Sequence, residues 1–205
     1  MTHADVRVDF SPSELSVREF YQLLTSVIVP RPIAWVSTTD ANGLDNLAPH
    51  SFFTVSSVNP PIVQFTSVGE KDSVRNIRAT GEFVVNFAPA ELIEQVNATG
   101  TGFPPEVSEF DAVDVAREAS LTVRPPRVKA SPVALECTLY KVLPIGDCTV
   151  IFGQVRHAVV SSRVLTGRHP RIDLLDPLSR LGLDEWATVG PIQELRRIRL
   201  ADWPK

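Results

Sequence analysis

Only two cysteines, Cys137 and Cys148, occur among the 205 residues. That scarcity excludes a disulfide-stapled secreted scaffold, and a chain of this length can bury a full core without staples. The four histidines, His3, His50, His157 and His169, stand at unrelated spacings, so no Cys/His zinc site is expected. Basic residues are not in excess either: 20 Lys and Arg face 24 Asp and Glu, a net charge of −4, and the cations are scattered. No nucleic-acid surface is implied. No apolar run approaches the roughly 18 residues that a membrane span needs. The first residues, MTHADVRVDF, carry neither a signal-peptide nor a transit-peptide pattern. A cytoplasmic protein is the expectation. Neither G-x-G-x-x-G nor G-x-x-x-x-G-K-[ST] is present, which removes both common nucleotide motifs.

What is present is an ordinary globular composition, 43% apolar and 21% charged. The length suits one large domain, or one domain with appendages. Residues 1–14 are polar and read as an arm. Leu15 to Leu24 has apolar residues at helical spacing. Pro30-Arg31-Pro32 then forces extended backbone. Ile33 to Thr39 reads as a strand, and Asp40-Ala41-Asn42-Gly43 as a tight turn, because Asn-Gly suits positive-φ positions. Leu47 to Val58 reads as a second strand bent by Pro49, Ile62 to Ser67 as a third and Glu82 to Phe87 as a fourth. Pro89 to Val96 reads as a short helix. Residues 97–131 form an irregular excursion, with a short helical turn expected around Phe110; loops this long usually act in function or cover something. Val133 to Val142 and Cys148 to Val155 read as a hairpin turning near Pro144-Ile145-Gly146, the second strand prolonged to Val160. That places Cys148 opposite a residue near Leu143 and Cys137 opposite one near Gln154, too far apart for a disulfide. Two free, mostly buried thiols are expected. About seven strands, antiparallel by hairpin logic, with few helices predict a small β-barrel.

The stretch from Arg31 to Asn86 holds the chemistry. A strand ending at Ser67 delivers Lys71, Asp72 and Ser73 to the start of a helix expected over Ser73 to Thr80 and closed by Gly81. The first helical N–H groups have no internal partner, so this is a candidate anion seat, with Lys71 as a point charge. Asp72 or Ser73 can cap the helix, and an ordinary capped helix beside a solvated lysine is the alternative reading.

The ordered set RPIAWVST, NG, NLAPHSFFTVSSVNPPIVQFTS, KDSVRNI, TGEFVVN, RPPRV, SPVALEC, GDC, FGQV and DPLSRLG resembles the flavin reductase-like proteins of the FMN-binding split-barrel superfamily, in particular their flavoredoxin-like branch. The resemblance runs over roughly residues 20–186. It implies a mainly β Greek-key split barrel with a few short helices over residues 15–186, followed by a tail at 187–205. It also implies a homodimer, with FMN near the subunit interface and NAD(P)H as a reductant. The activity implied is hydride or electron transfer, the reduced flavin serving a small acceptor or a partner monooxygenase. An FMN electron carrier reduced by another protein, or a non-catalytic binding module on the same barrel, remain open, since fold does not fix function.

Carried over by resemblance, Asn46, Leu47, Ala48, Pro49, His50 and Ser51 would line the flavin ring, where N–H donors stabilise electron density added on reduction. Ser67, Lys71, Asp72 and Ser73 match the phosphate and ribityl segment. Arg31 matches an arginine that approaches the phosphate, and Asn76 would reach the ligand or brace the loop. Arg180, in the Arg180-Leu181-Gly182 turn, resembles a segment near the pocket, contributed by this chain or by a dimer partner. Each also has a plain structural role open to it: Asn46 and Ser51 as turn or strand-edge hydrogen bonders, Asp72 as a cap. His50 is not required as a proton donor, because hydride transfer to flavin needs none on the reacting carbon. Where some flavin reductases of the superfamily carry Gly-Asp-His at the hairpin turn, this sequence reads Gly146-Asp147-Cys148, and the glycine expected after Arg-Leu-Gly is Leu183.

Overall fold

Seven antiparallel strands carry the fold in the computed structural model, which describes residues 6–203. The first five residues of the expected arm and the last two of the expected tail lie outside the described residues. The strands are β1 (Ala34–Thr39), β2 (Asp45–His50), β3 (Phe53–Ser57), β4 (Ile62–Val68), β5 (Glu82–Phe87), β6 (Val133–Ile145) and β7 (Cys148–Val160). Their order across the sheet is β2-β1-β5-β6-β7-β4-β3. The two edges, β2 and β3, are therefore consecutive in the chain, joined only by Ser51-Phe52. Three residue steps span at most about 11 Å, so the sheet must curl until its edges nearly meet. The product is a barrel split between β2 and β3.

That split corrects one expectation. Leu47 to Val58 is two strands on opposite edges, not one bent strand. The change of partner occurs at Phe52, whose carbonyl accepts from Thr66 N–H at 2.9 Å, so the chain has already crossed to β4. The β1–β2 turn forms as expected around Gly43, at φ 91°, with the Asp40 carboxylate accepting the N–H groups of Asn42 and Leu44 at 2.8 Å.

β1 is buried at all six positions because both of its faces are covered. Ala34 and Val36 face the barrel interior with Val63, Phe65, Phe83 and Ile151. Ile33 and Trp35 face outward into a second cluster with Leu47, Val96, Phe110 and Leu178. The helix over Asp72–Thr80 packs Val74 and Ile77 onto the interior cluster. On β7, Gly153 is required by close approach: a Cβ there would overlap the Phe83 ring and lie 3.1 Å from Cys137 Cβ.

The N-terminal helix, α1 (Val17–Val27), starts in a capping box: Glu19 N–H donates to Ser16 Oγ at 3.3 Å, and Ser16 N–H to Glu19 Oε2 at 2.9 Å. It runs through Thr25-Ser26, past the end expected at Leu24, with the Thr25 hydroxyl satisfied inside the helix by donating back to the Tyr21 carbonyl at 3.0 Å. α2 (Asp72–Thr80) ends at Gly81, whose φ of 72° lets its N–H reach Ile77 O at 2.8 Å. α3 (Ile93–Ala98) leads into the excursion and α4 (Glu109–Ala112) lies within it, carrying Phe110 into the second cluster. Buried Glu136 on β6 pins the same excursion by accepting Leu121 N–H at 2.9 Å and Thr122 N–H at 2.6 Å.

In the β6–β7 hairpin Cys148 pairs with Ile145 and Cys137 with Val155, a shift of one or two residues from the expected partners. Both thiols are free. Burial pushes the Cys137 thiol up to about 12, beyond any thiolate role. Finally, the chain returns to the start of the barrel: Ser179–Arg180 pairs with Arg31–Pro32 on one side and Trp186–Ala187 on the other.

Candidate functional site

The end of β2 and the start of α2 enclose a cavity of about 360 Å³. Asn46, Ala48, Pro49 and His50 form one wall, Lys71, Asp72 and Ser73 the facing one. The turn from Thr99 to Phe103 covers the top, and Glu109 of α4 closes the side.

At the α2 terminus the N-cap is Lys71, and no side chain caps the helix. The expected cap by Asp72 or Ser73 is absent for a physical reason. The Asp72 carboxylate is paired with Arg75 one turn on. The Ser73 hydroxyl, 1% exposed, is turned toward the Asn46 side-chain amide at 3.3 Å and His50 Nε2 at 3.4 Å. The opening N–H groups of α2 therefore carry no side-chain partner while Lys71 stands beside them. This donor set suits a phosphate: a free helix N-terminus and an ammonium, with a buried hydroxyl next to both.

His50 is 6% exposed and rests against the Phe65 ring, centroids 4.5 Å apart. Burial, helped by the nearby Lys71 charge and opposed by a hydrogen bond to the Thr66 backbone, lowers its pKa to about 3. The imidazole is neutral at any ordinary pH. A neutral ring can accept from Ser73 or present an uncharged edge to a ligand; it cannot act as a cationic acid.

Glu109 went unseen in the sequence. Its carboxylate, 6% exposed, accepts Leu47 N–H at 2.8 Å. With the Asn46 amide nitrogen directed at Glu109 Oε1, 3.3 Å away, the amide oxygen accepts from Ser73 Oγ, also at 3.3 Å. Burial raises the Glu109 pKa, with the Leu47 N–H working the other way. No local motif marks this residue, because its partners lie about sixty residues upstream. The Thr99–Phe103 turn had a weaker signal, as part of a long irregular segment. Gly100 brings it against the elbow: a Cβ there would lie 3.6 Å from the Pro49 ring.

The remaining candidates divide. Leu47 is fully buried with its side chain in the second cluster, and its N–H is spent on Glu109. Ser67, 1% exposed, donates to the Gly69 carbonyl at 3.0 Å and does not line the cavity. Asn76 donates to Thr38 Oγ1 at 3.0 Å and faces a smaller cavity of about 140 Å³. Arg31 is buried, with its guanidinium on the carbonyls of Thr25, Ile28 and Leu181, the last at 2.6 Å. The Arg180 guanidinium lies 4.7 Å from the Trp186 ring and donates to Leu183 O at 2.7 Å. Ser51, Arg180 and Trp186 line a cavity of about 210 Å³ that shares Pro49 and Gly100 with the first.

Residues 26–175 match the sequence profile described as the flavin reductase like domain. The chain belongs to the flavin reductase-like family. Its barrel is the split barrel of flavin reductases. A protein of Aquifex aeolicus is 38% identical over 181 residues, covering 85% of this chain and 92% of that one. Component B of nitrilotriacetate monooxygenase from Bacillus cereus superposes with a TM-score of 0.90 at 30% identity, over 94% of this chain and all of that one. The 2-nitrobenzoate 2-nitroreductase NbaA of Pseudomonas fluorescens does so with 0.88 at 28%, over 94% and 98%. A flavin is the cofactor that membership of this flavin reductase-like family implies, and the phosphate-suited wall of the cavity between β2 and α2 fits one.

Proposed function

We propose that the chain is an FMN-binding oxidoreductase that moves hydride or electrons between NAD(P)H and a small acceptor. One observation carries the reading: the cavity of about 360 Å³ joins the Asn46–His50 elbow to an uncapped α2 start bearing Lys71. When bound, FMN supplies the redox chemistry, and the protein supplies binding, orientation and electrostatics. Lys71 and the opening N–H groups of α2 would hold the phosphate, assisted by Ser73. Asn46, fixed between Glu109 and Ser73, would present its amide to the ligand, while Ala48, Pro49 and Ser51 bound the ring side. His50 stays neutral and adds no charge next to a reduced ring. The Thr99–Phe103 turn excludes water from above.

The same proposal includes a homodimer. α1 leaves Val17, Tyr21, Leu24 and Val27 exposed, an apolar stripe that a second copy would cover. Transfer of reduced flavin to a monooxygenase partner is supported by the likeness to a monooxygenase component B. A cytoplasmic location accords with this chemistry; among the described residues no helix is long and apolar enough to cross a membrane.

The test is the visible absorption spectrum of the purified protein, with FMN and then NAD(P)H added anaerobically. Protein-associated flavin bands that bleach on adding nicotinamide are the expected result. Bands that persist would instead support a carrier reduced by another protein. No retained flavin would overturn the reading.

A further inference from the structure

A second and slightly larger cavity, about 380 Å³, lies between α1 and the turn that follows Arg180. Three arginines line it: Arg18 from α1, Arg31 from the barrel entrance and Arg180 from the returning segment. The one acid in its lining is Asp184, which forms no ion pair with any of the three among the described residues. The site therefore carries an unbalanced positive charge in a partly enclosed space, where a counter-ion is worth more than in open water.

The guanidinium groups also keep donors in reserve, although the terminal nitrogens of Arg31 are spent on the carbonyls of Thr25, Ile28 and Leu181. Arg31 is 8% exposed, and its Nε has no hydrogen-bond partner. Its pKa is pushed down first by burial and also by Arg180, while Tyr21 opposes. Arg180 stacks on Trp186, which fixes its plane, and Arg18 is exposed on the helix. The rest of the lining is mixed: Tyr21 and the Leu181 and Leu183 side gives apolar surface, Ser51 and Thr25 give hydroxyls. Planar guanidinium groups beside an aromatic and two leucines form a surface for a small molecule with an apolar body and an oxyanion head. The volume sits at the lower end of ligand pockets, enough for one compact molecule.

Its position completes the argument. Ser51 and Arg180 line both this cavity and the small one at Trp186, and that one shares Pro49 and Gly100 with the candidate flavin cavity. We propose that the Arg18–Arg31–Arg180 cavity seats the carboxylate of a small organic acid, and that this acid is the reactant presented to the flavin. The second half of that statement rests on the flavin reading above; the carboxylate seat itself does not.

Benzoate is the probe, with benzamide as its uncharged counterpart and inorganic phosphate as a competitor. Calorimetric titration is run on the FMN-loaded protein and on the flavin-free protein, and FMN binding is followed separately by flavin fluorescence. Benzoate is expected to bind at least tenfold more tightly than benzamide. Arg18→Gln and Arg180→Gln should each weaken benzoate about tenfold, the loss of one charge-assisted contact. Arg31 is left intact because it holds the end of α1; Arg18, being exposed, is replaceable without a folding cost. Equal binding of benzoate and benzamide, or benzoate affinity unchanged in both variants, overturns the seat. Phosphate bound more tightly than benzoate overturns the carboxylate in favour of a nucleotide phosphate. Benzoate bound as expected by a protein that takes up no FMN supports the seat and removes the flavin reading alone.

Discussion

The side-chain amide of Asn46 lies 3.3 Å from the hydroxyl of Ser73, across 27 residues of sequence. That contact ties the end of β2 to the first turn of α2, and Glu109 holds the amide from its other side. Asn46→Ala should therefore loosen both cavity walls at once. The expected result is FMN affinity reduced about tenfold and a loss of roughly 1–2 kcal/mol in urea unfolding, because buried Ser73 and Glu109 lose a partner. A full stability loss with unchanged FMN affinity would make Asn46 a brace only.

Lys71 is the sharper probe of the anion seat, since its side chain makes no capping bond and no ion pair among the described residues. Lys71→Ala should weaken FMN by about 1–3 kcal/mol, through loss of a charge-assisted phosphate contact, with folding intact. Riboflavin, which has no phosphate, should bind wild type and variant alike. Parallel fluorescence titrations with the two flavins decide it: equal losses for both would take the phosphate away from Lys71.

His50 predicts acid sensitivity. Its folded pKa is about 3 against an ordinary value of 6.5, so between those values the unfolded chain binds the extra proton. Stability from this group is complete above about pH 6.5 and falls as the pH drops, by about 2 kcal/mol at pH 5. Glu109 works with the opposite sign: its raised pKa favours the folded state below 4.5 and loses that advantage as the pH rises through the folded value. The clean experiment is urea unfolding at about pH 7.5 and pH 5 for wild type and His50→Gln. The variant should lose most of the difference between the two pH values; an unaltered difference would assign the acid limb elsewhere.

Local chemistry made much of this legible in sequence. Helical spacing disclosed α1, Asn42-Gly43 disclosed the β1–β2 turn, and Gly81 marked the end of α2. Long-range pairing was not legible. Ser51-Phe52 has no glycine, proline or asparagine to mark a sharp turn, yet the chain changes sheet edge there, because Thr66 claims the Phe52 carbonyl. The cap at α2 was misplaced because Ser73 and Asp72 are good cap residues in isolation; the fold gives their side chains to Asn46, His50 and Arg75 instead. Glu109 in the sequence SEFDA looks like any solvated acid, and only tertiary structure brings Leu47 N–H to it.

The returning segment offers a paired test. A Cβ on Gly182 would lie 3.0 Å from Ser26 Cβ and 3.2 Å from its Cα, a conflict with backbone that no rotamer relieves. Gly182→Ala should push residues 178–187 off α1, break the Arg31 bond to the Leu181 carbonyl and cost about 1–3 kcal/mol. Its neighbour runs the other way. Leu183 holds a φ of 48°, in the left-handed region that penalises a Cβ. Leu183→Gly removes that penalty at some cost in chain entropy, for a net change of about 0–1 kcal/mol in favour of folding. Thermal unfolding combined with limited proteolysis reads both: the alanine variant should be cut first within 178–190 and melt several degrees lower, the glycine variant should not. Equal melting and equal cleavage would mean that the segment does not dock on α1 through Gly182, and the arginine cavity built on that docking would lose one of its walls.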